Sequence, residues 1–140
     1  MKPLLYLLLI ITLTFAACKK SGQSPYNVTF TFKGTQYNVV NLNARYTSIS
    51  MYASGKSGST VFNMYIFSTT PGIDTLGQHG TLSFATGTTA DDYYFCNSGT
   101  ATINSFDSKG ATGTFSGMAG HPGGIDTTRT PVSGTFNVRF

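Results

Sequence analysis

Two stretches of this chain alternate apolar and polar residues without a break. They are Tyr26-Asn-Val28-Thr-Phe30-Thr-Phe32 and Val132-Ser-Gly134-Thr-Phe136-Asn-Val138-Arg-Phe140. On a β-strand successive side chains leave opposite faces, so each stretch offers an apolar face to a core and a largely Thr, Ser and Asn face to water. Outside the first seventeen residues no segment carries the i, i+3, i+4, i+7 stripe of an amphipathic helix. Between the two stretches the same grammar recurs in shorter pieces. Lys33-Gly34-Thr35 is a turn signal. Tyr37 and Val39 then share one face and Val40 and Leu42 the other, a phase change that predicts a β-bulge or bend near Val39-Val40. Ile49, Met51 and Ala53 make a third alternating set, and Gly55-Lys56-Ser57-Gly58-Ser59 reads as a hairpin loop. Residues 61–67 are apolar on both faces except at Asn63, which fits a strand covered on both sides or one with exposed aromatics.

Residues 71–80 read as a loop. Short strands follow over 81–84, 92–96, 100–106 and 110–115, separated by Gly87-Thr88-Thr89-Ala90, Asn97-Ser98-Gly99 and Asp107-Ser108-Lys109-Gly110. Residues 117–131, with four glycines and two prolines, read as irregular. Many short strands with turn signals about every ten residues predict an all-β fold, an antiparallel β-sandwich or flattened barrel of about 8–10 short strands. The triplet Gly-Thr-apolar recurs as Gly80-Thr81-Leu82, Gly113-Thr114-Phe115 and Gly134-Thr135-Phe136. These are too few copies for a repeat architecture and read as one strand grammar used several times.

The start of the chain has a different character. Met1-Lys2 precedes an apolar run over residues 4–17, followed by Cys18 and Lys19-Lys20. A basic start, an apolar stretch and small residues at its end form a secretory signal. The run has fourteen residues, short of the ~20 that a spanning helix needs. With Cys18 directly after Ala16-Ala17, the segment resembles a bacterial lipoprotein signal. That resemblance implies cleavage before Cys18 and a lipid on its sulfur. The expected organisation is a signal peptide over 1–17, a lipidated cysteine and polar tether over 18–25, and one all-β domain over 26–140. Seven tether residues, 19–25, reach at most about 25 Å when extended.

Composition narrows the chemistry. Nine Lys and Arg face five Asp, with no Glu. The cations are scattered apart from Lys19-Lys20, so no stripe suited to a phosphate backbone exists and nucleic acid is excluded as a partner. Lys19-Lys20 would lie beside the lipid, either touching anionic headgroups or as solvated tether. If Cys18 is acylated, Cys96 has no disulfide partner, and a lone thiol of this kind is expected to be buried and inert. His79 and His121 sit in Gly-rich loops without ligand spacing, so no metal or other cofactor is expected. Gly55-Lys56-Ser57 copies the tail of a phosphate loop, but Ser50 stands where its first glycine belongs and no helix follows. Asp91-Asp92 is the only acidic pair, and it reads as a turn start rather than as glycosidic acid and base. No catalytic residue is assigned.

The aromatics carry the remaining signal. Eleven Phe read as core, whereas the eight Tyr are amphipathic and suit binding faces. Tyr46, Tyr52, Tyr65, Tyr93 and Tyr94 are candidates for a ligand platform for glycan or peptide. The alternative is that they finish the core with their hydroxyls at its rim.

Several segments together carry a family resemblance: Cys18-Lys19-Lys20, the strand Val28-Thr-Phe30-Thr-Phe32, Thr100-Ala-Thr102-Ile103-Asn-Ser-Phe106-Asp107, Gly113-Thr114-Phe115-Ser116 and Gly134-Thr135-Phe136. In these the chain resembles small lipoproteins of Bacteroidota with a DUF6252-like domain of unknown function. The resemblance implies an all-β envelope lipoprotein and supplies no catalytic residues. It also implies O-glycan acceptors within Asp-(Ser/Thr) triplets, here Thr75 and Thr127, both in expected loops; the alternative is an Asx-turn. Surface lipoproteins of that group carry acids after the cysteine. Lys19-Lys20 here implies the periplasmic face of the outer membrane. The expected function is non-enzymatic binding or structural interaction at the envelope, with a protein or envelope partner ahead of a glycan. A small hydrolase using Asp92 or Cys96 is a distant alternative.

Overall fold

The structure, a computed structural model, describes residues 26–122 and 128–140. It is all-β. The strands are β1 (Asn27–Phe32), β2 (Thr35–Val39), β3 (Leu42–Tyr46), β4 (Met51–Ser57), β5 (Thr60–Ile66), β6 (Gly72–Leu76), β7 (Gly80–Ala85), β8 (Tyr93–Asp107), β9 (Gly110–Gly120) and β10 (Thr130–Arg139). All belong to one antiparallel sheet in the order β2-β1-β10-β9-β8-β7-β5-β4-β3, with β6 added beside β8. The two ends of that order, β2 and β3, are consecutive in the chain and joined only through Val40 and Asn41. A link of two residues spans about 10 Å at most, so the sheet has to curl until its two ends lie close together.

Side chains hold the seam. The Val40 N–H donates to Ser57 Oγ on β4 at 3.2 Å, and a methyl at Gly55 would strike Val39, Leu42 and Asn41. The phase change at Val39-Val40 is therefore real but is not a bulge. It marks the place where the chain leaves one sheet edge and starts the other.

Curling brings distant strands together in one core. Phe30 of β1 meets Phe62 of β5 at 5.6 Å and Phe84 of β7 at 4.9 Å, and Tyr37 stacks on it at 5.0 Å. Phe62 continues to Phe115 of β9. Each such aromatic pair adds about 0.5–1.5 kcal/mol beyond its buried area. Rings of this size fit inside a narrow barrel only if their neighbours are small. The β9–β10 register places Phe115 opposite Gly134 and Phe136 opposite Gly113, and β1 places Phe30 on the other side of Gly134. The recurring Gly-Thr-Phe triplets are thus a reciprocal lock, in which the glycine of each accepts the ring of the other.

Several expected loops are strands. Residues 72–76, expected as loop, form β6, which pairs with residues 99–103 of β8 while β7 pairs with residues 93–96. Thr75 accordingly lies on a strand and is exposed. Asn97-Ser98-Gly99 does not end a strand. The β8–β9 register shifts there, and Gly99, at φ +133° with Ser116 and Gly117 packed against it, lets β8 bulge and continue. β9 extends through Gly120 and β10 begins at Thr130, so the irregular stretch is shorter than residues 117–131. Asp92 belongs to a short 3₁₀ turn (Ala90–Asp92) rather than to a strand. The 55–59 loop is also tighter than expected, since β4 runs through Ser57. Ile49 stands outside β4 in the turn that precedes it.

Replacing Gly134 by Ala drives a methyl into the Phe115 ring, Phe30 Cβ and the Thr29 carbonyl. Overpacking of this kind costs about 1–3 kcal/mol or more. Gly120→Ala meets only ordinary contacts and is expected to stay within about 0.5 kcal/mol of the parent. Urea unfolding midpoints of the two variants check the contrast.

Candidate functional site

Outward-facing residues of β3, β4 and β5 line up across the sheet, with Arg45 opposite Tyr52 and Tyr52 opposite Tyr65. The two tyrosines lean in opposite directions. Tyr52 donates its hydroxyl to Asn63 Oδ1 on β5 at 3.4 Å, and Tyr65 donates to Ser50 Oγ beside β4 at 3.3 Å. Each reaches a diagonal neighbour on the other's side of the pair, which ties the rings down along the sheet. The Arg45 guanidinium lies over the Tyr52 ring at 5.1 Å, a cation–π contact worth about 0.5–1 kcal/mol at an exposed site.

The β3–β4 turn closes one side of this row. Thr47 N–H donates to the Ser50 carbonyl at 2.8 Å, and the Ile49 and Ser50 N–H groups donate to Thr47 Oγ1 at 3.3 and 3.2 Å. The Thr47 and Ser50 hydroxyls also share a hydrogen bond of 2.9 Å. Tyr46 projects from the other face of β3 at the barrel mouth, where its ring packs on Phe106 and Phe140. Together Arg45, Tyr46, Thr47, Ser50, Tyr52 and Tyr65 line a half-open cleft of about 530 Å³. That volume lies in the ~300–1,000 Å³ range of small-molecule sites. None of the six lining side chains is a carboxylate, imidazole or thiol.

Of the five tyrosines singled out from the sequence, three therefore meet in this cleft and two do not. Tyr94 is only 7 % exposed and belongs to the core, because β8 turns it inward onto Phe32 at 4.5 Å and Phe84 at 5.5 Å. Its hydroxyl accepts from Lys33 Nζ at 3.0 Å, and the His121 ring covers it at 4.7 Å. Tyr93 is half-buried on the opposite face of β8, paired with Ala85. Arg45, Thr47 and Ser50 were not legible as site residues. Their only sequence signal is proximity to Tyr46, and the row they join exists only once the register is known.

The remaining candidates serve the fold. Cys96 is buried, its thiol donates to the Ser98 carbonyl at 3.3 Å, and burial pushes its pKa up, so little thiolate forms at neutral pH. His79 is exposed and uses its backbone to bridge Phe67 and Thr75. Among the described residues no three His, Cys or Asp gather as metal ligands, and no helix is long and apolar enough to cross a membrane. Cys18, Lys19, Lys20 and Thr127 lie outside the described residues.

Asp92 closes the loop after β7. Its Oδ2 accepts from the Thr89 hydroxyl at 2.7 Å and the Thr89 N–H at 3.0 Å. These bonds, the hydroxyl first, hold its carboxyl below the usual range. A depressed carboxylate contributes stability above its unfolded pKa and loses it as pH falls through the folded one. Wild type is therefore expected to exceed Asp92→Asn in stability at neutral pH. The gap closes as pH drops below the ordinary carboxylate range, and urea midpoints of both proteins from about pH 7 to pH 2 read this directly.

No protein family, curated protein or solved structure matches the chain.

Proposed function

We propose that this chain is a lipid-anchored protein of the bacterial envelope, held by a lipid on Cys18 at the periplasmic face of the outer membrane, whose barrel binds a saccharide in the cleft between β3, β4 and β5. The observation that carries the binding reading is the convergence of Tyr46, Tyr52 and Tyr65 with Arg45 on one concave site. A sugar ring has an apolar face of C–H groups and a rim of hydroxyls. Tyrosine rings laid along a sheet suit the first, while guanidinium and the Thr47 and Ser50 hydroxyls suit the second. A cleft of this size favours a short oligosaccharide over a flat protein partner, for which interfaces run to roughly 800 Å² per side. The reading is one of binding rather than turnover, since the lining offers neither a paired acid and base nor an activated nucleophile. It places the glycan alternative ahead of the protein partner that the sequence favoured. Membership of the small Bacteroidota envelope lipoproteins is part of the same proposal, supported by Cys18-Lys19-Lys20 and the Gly-Thr-Phe strands.

Calorimetric titration of the mature chain with chito-, xylo- and galacturonic-acid oligosaccharides tests this. At least one series is expected to bind. Tyr52→Ala and Tyr65→Ala should each weaken it tenfold or more, about 1.4 kcal/mol, while Tyr93→Phe leaves it unchanged. Absence of binding in all three series, or equal binding by the Tyr52 and Tyr65 variants, overturns the reading.

A further inference from the structure

The end of the barrel that receives the tether differs from the opposite end. Tyr26, where the described chain begins, has the Arg139 guanidinium 5.7 Å over its ring. Arg139 pairs with Gly110, and the Phe140 N–H donates to the Lys109 carbonyl at 3.1 Å. Tyr46 packs on Phe140 at 4.7 Å and on Phe106 at 5.5 Å, which brings the β3–β4 turn to the same end. The segment after β5 lies beside that turn, because Thr69 Oγ1 donates to the Ser48 carbonyl at 3.2 Å.

These neighbours hold large apolar side chains out to solvent. Ile49 at the turn tip is 68 % exposed, Phe67 51 % and Tyr46 43 %. The turn can carry Ile49 into a poorly hydrated layer at little cost, since the Thr47, Ile49 and Ser50 N–H groups are already bonded within it. Charge agrees. Arg45, Lys109 and Arg139 sit at this end, and Asp107 beside them accepts the Lys109 and Gly110 N–H groups at 2.7 and 3.0 Å. The first 73 residues contain no Asp or Glu at all.

We propose that the end of the barrel carrying Ile49 and Phe67 seats on the lipid bilayer itself. Ile49 and Phe67 enter the boundary between headgroups and acyl chains, and Arg45, Lys109 and Arg139 lie over anionic headgroups. The inference rests on the reading of Cys18 as the anchor. A tether of at most about 25 Å that enters beside Arg139 holds this end closest to the membrane. The bilayer is thus the occupant that the point of chain entry, the exposed apolar tips and the charge all select.

The chain contains no Trp, so single substitutions report without background. Ile49→Trp, Phe67→Trp and, at the far hairpin, Ser59→Trp are made in the acylated chain. Each is reconstituted into phosphatidylethanolamine–phosphatidylglycerol vesicles with brominated acyl chains. Flotation with the vesicles tests the anchor separately. Tryptophans at 49 and 67 are expected to be blue-shifted and quenched at least twofold, and that at 59 unaffected. Ile49→Asp combined with Phe67→Asp should weaken vesicle binding of the unacylated Cys18→Ser chain tenfold or more, with its urea midpoint unchanged. A protein that floats while all three tryptophans are equally unquenched overturns the seating and leaves the anchor standing. One that fails to float overturns the anchor, and the seating with it. Neither result bears on saccharide binding in solution.

Discussion

The link of two residues between β2 and β3 is the constraint on which the rest of the structure depends. It joins the two extremes of a long sheet, so an open, gently twisted arrangement is impossible and the sheet must curl back until it is nearly closed. Closure turns the alternation of the strands into an inside and an outside all the way round. It also creates two ends, and it puts β3 at the seam with one face inward to Phe106 and Phe140 and the other outward toward Tyr52. The cleft and the exposed apolar tip at Ile49 both arise from this placement of β3.

Closure explains how a chain with so few charges manages its sheet edges. An open antiparallel sheet with Thr, Ser and Asn on its outer face would offer two long edges for pairing with another copy. Here the two ends of the sheet pack against other strands, β2 against β4 and β5 and β3 against β10, with the Ser57 hydroxyl bonded to the Val40 N–H. The side chains on the outside then bond mainly among themselves, as in the Asn27, Thr29 and Asn38 cluster and the 2.6 Å contact between Ser105 and Thr112.

What the sequence showed and what it hid follow one physical line. Patterns written into consecutive residues were readable: β1 and β10 from unbroken alternation, the burial of Cys96 from its lone status, and the all-β class from the absence of any helical stripe. Features that depend on which strand lies beside which were not. β6 has only Ile73 and Leu76 as apolar residues between glycines, and its identity as a strand rests on pairing with β8, nearly thirty residues away. The bulge at Gly99 looked like a turn because glycine serves both. The tyrosine platform was half legible for the same reason. Tyr52 and Tyr65 become neighbours only through the β4–β5 register, and Tyr94 was lost to the core by the phase of β8.

The reciprocal seating of Phe115 on Gly134 and Phe136 on Gly113 has a bearing on how such a chain can vary. Neither member of a pair can change alone, since a larger residue at the glycine collides with the ring and a smaller residue at the ring leaves a void. Phe30 shares Gly134 with Phe115, so three strands are tied to a single position. Substitutions there have to arrive together or not at all. The path between sequences that share this barrel is therefore strongly epistatic at its centre, while the row of Arg45, Tyr52 and Tyr65 on its outer wall can change one residue at a time without disturbing that packing.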